Sequence, residues 1–117
     1  MVEKIDVEMV KIVEELAKKF GADIYIDGKA VFIHKPMQPE ILAHSAIKVA
    51  EIGENLFEIQ ASIVVRKGDE SKIENIIRSS CISVYSLDKH HLAIFSTGVY
   101  GIDKLKDIIS TILELSI

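Results

Sequence analysis

The sequence predicts an α+β domain with the element order α-β-β-α-β-β-β-α. Three observations support this prediction: amphipathic patterns at both ends of the chain, an Asp-Gly turn between two β-prone runs, and three short apolar runs after Ser71. The chain has 117 residues, of which 49% are hydrophobic and 27% charged, a size and composition typical of one globular domain. We therefore treat residues 1–117 as a single domain.

Both ends of the chain are predicted to be helical. Near the N-terminus apolar residues recur at helical spacing, and Gly21 follows as a C-terminal cap. Near the C-terminus, Asp103 lies in the first turn of a second helix, where its charge suits the helix dipole. The two apolar stripes consist of Ile5, Met9, Ile12, Leu16 and Phe20, and of Leu105, Ile108, Ile109, Ile112 and Leu113.

Short strands are predicted on both sides of the middle of the chain. Asp27-Gly28 separates the β-prone runs 22–26 and 29–34, which is a strong signal for a tight hairpin. Later in the chain, residues 73–78, 81–86 and 92–96 are apolar runs separated by polar turns. Connections this short favour an antiparallel meander.

The segment from Pro39 to Arg66 allows two interpretations. Polar residues every three or four positions predict one long helix from Pro39 to about Arg66. Alternatively, the strict alternation from Phe57 to Val65 suits a strand, in which case residues 73–80 become helical and the order from there is β-α-β-β-α. We favour the helix because only the helix accounts for the whole polar stripe. That stripe consists of His44, Lys48, Glu51, Asn55, Glu58, Ser62 and Arg66.

As a helix, this segment would be apolar on two adjacent rows. One row could cover a sheet, and the other would leave an apolar patch of a kind that monomers rarely expose. Ala46, Ala50 and Gly53 would also allow two such helices to approach closely. The pattern therefore predicts self-association through the long helix.

Three runs resemble the roadblock/dynein light chain family. Asp27-Gly28-Lys29 is similar to the family's first hairpin, and Glu40-Ile-Leu-Ala-His-Ser-Ala46 resembles the start of its central helix. Residues 73–96 resemble its closing meander, with a second strand ending in Leu87-Asp88 and a third opening with Leu92-Ala93. The resemblance implies a five-stranded antiparallel sheet between two helical layers, a three-layer roadblock/profilin-like α/β/α fold.

The resemblance also implies a function. Family members form homodimers, or heterodimers with a related roadblock chain, and they regulate or scaffold small Ras-like GTPases or larger complexes. We therefore expect a non-catalytic, dimeric protein-binding module, with an interface formed by the long helix and the edge of the third strand. The expected interface residues are Leu42, Ala46, Val49, Gly53, Leu56, Ile73, Ile76 and Ile77.

No histidine pair has the spacing of a metal site. His90 and His91 are adjacent, and adjacent residues on a strand point to opposite faces, so a solvated turn is the expected environment. His34 and His44 have no Cys, Asp or Glu at ligand spacing. We expect no bound metal.

Catalytic and phosphate-binding signals are weak. Gly98-Val-Tyr-Gly101 precedes a helix, but Asp103 would repel an anion there, so a strand-to-helix turn is the expected role. No serine lies in a Gly-x-Ser-x-Gly elbow, and no nucleophile, base and orienting group can be assigned. Cys81 is the single cysteine, which excludes an internal disulfide, and we expect it to be buried in a strand. We expect no enzymatic activity and no cofactor.

Charge and hydropathy restrict the partners and the compartment. The net charge is -4 with no basic patch, so nucleic-acid binding is not expected. No run of about eighteen apolar residues and no basic N-terminal leader is present, so we expect a cytoplasmic protein without membrane insertion. Abundant isoleucine with few Asn and Gln is compatible with a thermophile.

The second interpretation of residues 57–65 leads to a different function. With a strand there, the chain would be a small-molecule-sensing regulatory domain with a ferredoxin-like or related α+β fold. Helix content separates this hypothesis from the roadblock hypothesis.

Overall fold

The computed structural model describes residues 6–36, 38, 41, 43–77 and 82–117, which form three helices and one six-stranded antiparallel sheet. The sheet order is β1-β2-β3-β4-β6-β5. In chain order the elements are α1 (Val7–Lys19), β1 (Asp23–Asp27), β2 (Ala30–His34), β3 (Ala46–Gly53), β4 (Leu56–Arg66), α2 (Glu70–Ile77), β5 (Ser83–Leu87), β6 (His90–Tyr100) and α3 (Ile102–Leu115).

The predicted first helix is confirmed, with a cap at each end. The Asp6 side chain accepts a hydrogen bond from the Met9 N–H at 3.0 Å, which satisfies one of the free donors of the first turn. At the other end Gly21 has a φ of 69°, and the Ala22 N–H donates to the Ala17 carbonyl at 2.8 Å. This left-handed glycine ends the helix and turns the chain into β1.

The predicted first hairpin and last helix are also confirmed. Asp27 pairs with Ala30, so Gly28 and Lys29 form the two-residue loop, and Gly28 supplies a φ of 62°. The two central residues of the turn are therefore Gly28 and Lys29. A turn with Asp27 and Gly28 at its centre would lie one residue earlier. Asp103 lies in the first turn of α3, as expected.

The prediction of a long helix over residues 39–66 is wrong. Residues 46–53 and 56–66 are β3 and β4, so the alternative of a strand from Phe57 to Val65 is confirmed. The two strands form a hairpin in which Gly53 pairs with Leu56 and Asn55 has a φ of 56°. Asparagine tolerates this left-handed conformation better than most residues, which makes Glu54-Asn55 a suitable turn.

The prediction of a strand at residues 73–78 is also wrong within the described residues, because Glu70–Ile77 forms α2. Ile73 and Ile77 lie one helical turn apart and both are buried. The next two predicted strands correspond to β5 and β6, while Cys81 lies outside the described residues. From β4 onward the order is therefore β-α-β-β-α, the order of the second interpretation.

All three helices pack on one face of the sheet. The fold therefore has two layers and six strands, where three layers and five strands were predicted. Alternate residues of each central strand point towards the helices and form one continuous core. Its strand members are Val31, Ile33, Ile47, Val49, Phe57, Ile59, Ala61, Ile63, Val65, Ala93, Phe95 and Val99.

The end of β4 is closed by contacts from distant parts of the chain. The Ser45 hydroxyl accepts from the Val64 N–H at 2.9 Å and donates to the Ile117 carbonyl at 3.1 Å. The Ile117 N–H donates to the Val64 carbonyl at 2.9 Å. Because β3 begins at Ala46, which pairs with Ser62, β3 has no residue opposite Val64. These bonds replace the missing ladder there and satisfy the backbone polar groups of Val64.

We expect Ser45→Ala to lower the free energy of unfolding by about 1–3 kcal/mol, because it leaves the buried Val64 N–H without its acceptor. Chemical denaturation monitored by circular dichroism measures this change. Ser96→Ala is the matched control, because Ser96 is exposed in the same sheet. Equal stability losses for the two variants would contradict the role given to Ser45.

Candidate ligand-binding groove

The three described helices cover one face of the sheet and leave the other face without a helix in the described part of the chain. The strand register arranges its side chains in rows that run across the strands. The row that we call the lysine row consists of Tyr25, Phe32, Lys48, Gln60 and Ser96. The adjacent row, which we call the alanine row, consists of Asp23, His34, Ala46, Ser62, Ile94 and Ser83.

A cavity of about 550 Å3 lies between these rows, and we call it the groove. Small side chains at Ala46, Ser62 and Ser96 leave space beside the larger Phe32 and Ile94. Most of the lining is apolar, and the volume falls within the range of about 300–1,000 Å3 that small-molecule sites occupy. The volume and the lining therefore make the groove a candidate ligand site, open along the sheet face.

Aromatic side chains continue the groove towards β1. The Tyr25 and Phe32 rings stack with centroids 4.8 Å apart, and His34 meets Tyr25 edge-on at 5.7 Å. His44, in the loop before β3, lies 6.2 Å from His34, between ring centroids. These residues line a smaller cavity of about 210 Å3 that shares Phe32 and Ala46 with the groove. The aromatic cluster thus gives the groove one rigid wall.

Among the described residues that line the groove, Lys48 is the one ionisable side chain. Its Nζ lies 6.0 Å from the centroid of the Phe32 ring, at the outer limit of a cation–π contact. Within the described residues, neither ion pair involves Lys48. The neighbouring Glu58 carboxylate instead accepts a hydrogen bond from the Gln60 amide at 2.9 Å. Among the described residues, therefore, no ion pair neutralises the Lys48 ammonium in the groove.

The sequence did not single out the groove residues as a site. The signal that could have found them is alternation of period two, which places Lys48, Gln60 and Ser62 on the face opposite the core. Interpreting residues 39–66 as a helix hid this signal. The groove also depends on which strands are neighbours, because Phe32, Ser62 and Ile94 lie on three different strands, β2, β4 and β6.

The structure places the expected interface residues in different environments. Val49, Ile73 and Ile77 are buried in the core, and Ile76 packs against that core. Ala46 and Leu56 lie on the helix-free face. The remaining two are Gly53, at the end of β3, and Leu42, which lies outside the described residues. The described members therefore do not share one surface, and dimer formation stays a prediction.

The histidine pair begins a strand and has a partner that was not expected. His90 and His91 open β6, and His91 Nδ1 lies 3.0 Å from an oxygen of Glu70 at the start of α2. No group of three potential metal ligands occurs in the described part of the chain. The Gly98–Gly101 segment forms the end of β6 and the junction to α3, where Gly101 has a φ of 93°.

Glu70 connects α2 to this strand. Its own backbone N–H lowers the pKa of its carboxyl, with further contributions from the Gly68 N–H, which donates to Glu70 Oε2 at 2.8 Å, and from His91. Partial burial acts in the opposite direction and is outweighed. The carboxylate therefore stabilises the first turn of α2 in its charged form.

Because folding lowers the pKa of Glu70, its ionised carboxylate adds to the free energy of unfolding at pH values above the unfolded-state pKa. This contribution is lost as the pH falls through the lower, folded-state pKa. We expect Glu70→Gln to melt at a lower temperature than the wild type at pH 6. The difference should shrink at pH 3, below the ordinary value of 4.5. Glu74→Gln, on the exposed side of the same helix, is the control. A difference independent of pH would contradict this role.

No family model, no curated protein and no solved structure matches this chain. Among the described helices, none has the length and apolar character needed to cross a membrane. The resemblance to the roadblock family depends on a long central helix, and the structure has β3 and β4 in its place. This part of the resemblance therefore has no counterpart in the fold.

Proposed function

We propose that this chain is a non-catalytic regulatory domain that binds a small molecule in the groove. The observation that supports the proposal is the cavity of about 550 Å3 on a sheet face that the helices leave open. Small, mostly apolar concave sites with a few polar groups are typical of ligand pockets. The groove has this composition, with Gln60, Ser62 and Ser96 as uncharged polar groups among apolar neighbours.

The secondary structure supports the same hypothesis. The roadblock hypothesis requires residues 39–66 to be helical, whereas the ligand-sensing hypothesis requires a strand from Phe57 to Val65. β4 spans these residues, and α2 follows it where the second hypothesis expects a helix. β5 runs parallel to β4 with β6 between them, which is a split β-α-β connection.

The chemistry of the groove supports binding rather than catalysis. General acid–base and nucleophilic mechanisms need a reactive group with a second group that activates or orients it. Lys48 is the single ionisable side chain among the residues that line the groove. A lone ammonium can hold a ligand but has no base beside it to take a proton.

A neutral apolar probe tests this proposal. We expect octanol to bind saturably, with chemical-shift changes at Ser62, Ile94 and their neighbours in a heteronuclear NMR titration. Ser96→Trp should reduce the affinity about tenfold or more, because the indole fills the space beside the small residues. Lys106→Trp, on the exposed side of α3, is the matched control and should bind octanol as the wild type does.

Two results would contradict the proposal. The first is that octanol changes the chemical shifts of residues spread over the helical face. The second is that Ser96→Trp binds octanol with the same affinity as the wild type. Circular dichroism of both tryptophan variants confirms that each is folded before its affinity is interpreted.

A second candidate function, the dimeric protein-binding module, is favoured by β5, which pairs only with β6 in the described part of the chain. Its sequence, Ser-Val-Tyr-Ser-Leu, contains no charged residue and no proline, the usual means of protecting an edge. Val84 and Tyr85 are 40% and 54% exposed, on opposite faces of the strand. A small Ras-like GTPase as partner is an expectation from the family resemblance alone.

Two copies could pair through β5 without charge repulsion. In an antiparallel pair centred on Tyr85, Ser83 would lie opposite Leu87 of the other copy. The same arrangement at the other edge, β1, would place Asp23 opposite Asp27, and like charges in that position are destabilising. Self-pairing is therefore favoured at β5 and opposed at β1.

Charge pairing at Tyr85 tests the dimer. We expect the wild type to dimerise in a light-scattering concentration series, while Tyr85→Lys and Tyr85→Glu are each monomeric because like charges meet at the centre. An equimolar mixture of the two variants should dimerise again. Tyr25→Lys, at the centre of β1, is the control and should remain dimeric. A monomeric wild type, or variants that all dimerise equally, would exclude this interface.

A further inference from the structure

We propose that the ligand of the groove is an apolar molecule that carries a carboxylate, and that the Lys48 ammonium binds this carboxylate. This inference rests on the proposed function, because it assigns a ligand class to the same groove. Its basis is the juxtaposition of one ammonium with an otherwise uncharged, mostly apolar lining.

The position of Lys48 favours an anionic head group. Lys48 lies in the middle of the lysine row, half-buried between Phe32 on β2 and Gln60 on β4. A bound anion would give the ammonium of this half-buried residue charged hydrogen-bond acceptors. The Phe32 ring face, 6.0 Å away, offers only a weak substitute.

The other charged groups near the groove leave this site to a ligand. Glu58 lies one row further along β4, does not line the groove, and is hydrogen-bonded to Gln60. Asp23 belongs to the alanine row at the β1 edge, beyond His34, and does not line the groove either. Among the described lining residues, Lys48 is therefore the one that carries a charge. This charge is positive, although the net charge of the protein is -4.

The remaining lining suits the rest of such a molecule. Ala46 and Ile94 add apolar surface to the lining, and burying apolar ligand area there contributes about 25 cal/mol per Å2. The Ser62 and Ser96 hydroxyls and the Gln60 amide can donate hydrogen bonds to a carboxylate oxygen. The combination fits an amphiphile with a small anionic head better than a fully polar anion such as a phosphate.

A matched set of probes separates the head group from the apolar tail. Octanoate, octanol and octylammonium share the tail and differ in charge, and calorimetric titration at pH 7.5 measures the affinity of each. We expect octanoate to bind about threefold to tenfold more tightly than octanol, the range of a partly exposed to partly buried ion pair. Octylammonium should bind more weakly than both.

Variants of Lys48 then test the assignment. Lys48→Met keeps the length and apolar stem and should reduce the octanoate-to-octanol affinity ratio to about one, while octanol binding persists. Lys48→Arg should retain the preference for octanoate. Lys106→Met, a charge removal on the exposed side of α3, should leave the ratio unchanged.

The outcomes distinguish the inference from the proposed function. Equal affinity for octanoate and octanol in the wild type, or a preference that survives Lys48→Met, would overturn the carboxylate assignment and leave ligand binding intact. If none of the three probes binds the wild type, the ligand-binding function and the carboxylate assignment both fail. Loss of the preference in Lys48→Met alone, with octanol affinity retained, supports the inference.

Discussion

The fold depends on the antiparallel pairing of β4 with β6, two strands of eleven residues each. This pairing runs without a break from Leu56 opposite Tyr100 to Arg66 opposite His90. Alternate residues of both strands fill the core, and the residues between them form part of the helix-free face. A shift of one residue in this register would exchange the two faces, so the same pairing determines both the core and the groove.

Local signals predicted the two terminal helices and the first hairpin because helical apolar spacing marks both helices and a tight turn marks the hairpin. Asp6 and Gly21 bound α1, and Gly28 supplies the positive φ of the first loop. These features depend on neighbouring residues only, so a sequence pattern is sufficient to recognise them. The same kind of signal was available at Asn55 and was outweighed by the apparent helical stripe.

That stripe arose from two strands and a bulge. Lys48, Glu58 and Ser62 lie on one face of the sheet because Lys48 pairs with Gln60, which is two residues from each of the others on β4. The register shifts between Glu51 and Gly53. The extra residue, Ile52, is exposed and changes the phase of the alternation. A period of two interrupted by one bulge and one turn can thus imitate a period near 3.6 over this length.

The groove could not be predicted from local sequence patterns, because it depends on contacts between distant segments. Phe32 and Ile94 are 62 positions apart in the numbering, yet both line the same cavity. Lys48 is recognisable as a polar residue in an apolar run, but its distance from Phe32 follows from the pairing of β2 with β3. Such pairings are set by tertiary packing, which single-sequence patterns record only weakly.

The two edge strands of the sheet differ in charge, and this difference affects how many copies of the chain can assemble edge to edge. β1 has an aspartate at each end, whereas β5 has no charged residue. A sheet with two unprotected edges can add further copies without limit and form fibres. A sheet with one guarded edge can join one neighbour and then presents only guarded edges to the solvent. The acidic residues of β1 would thus limit any edge-to-edge assembly of this chain to a closed pair.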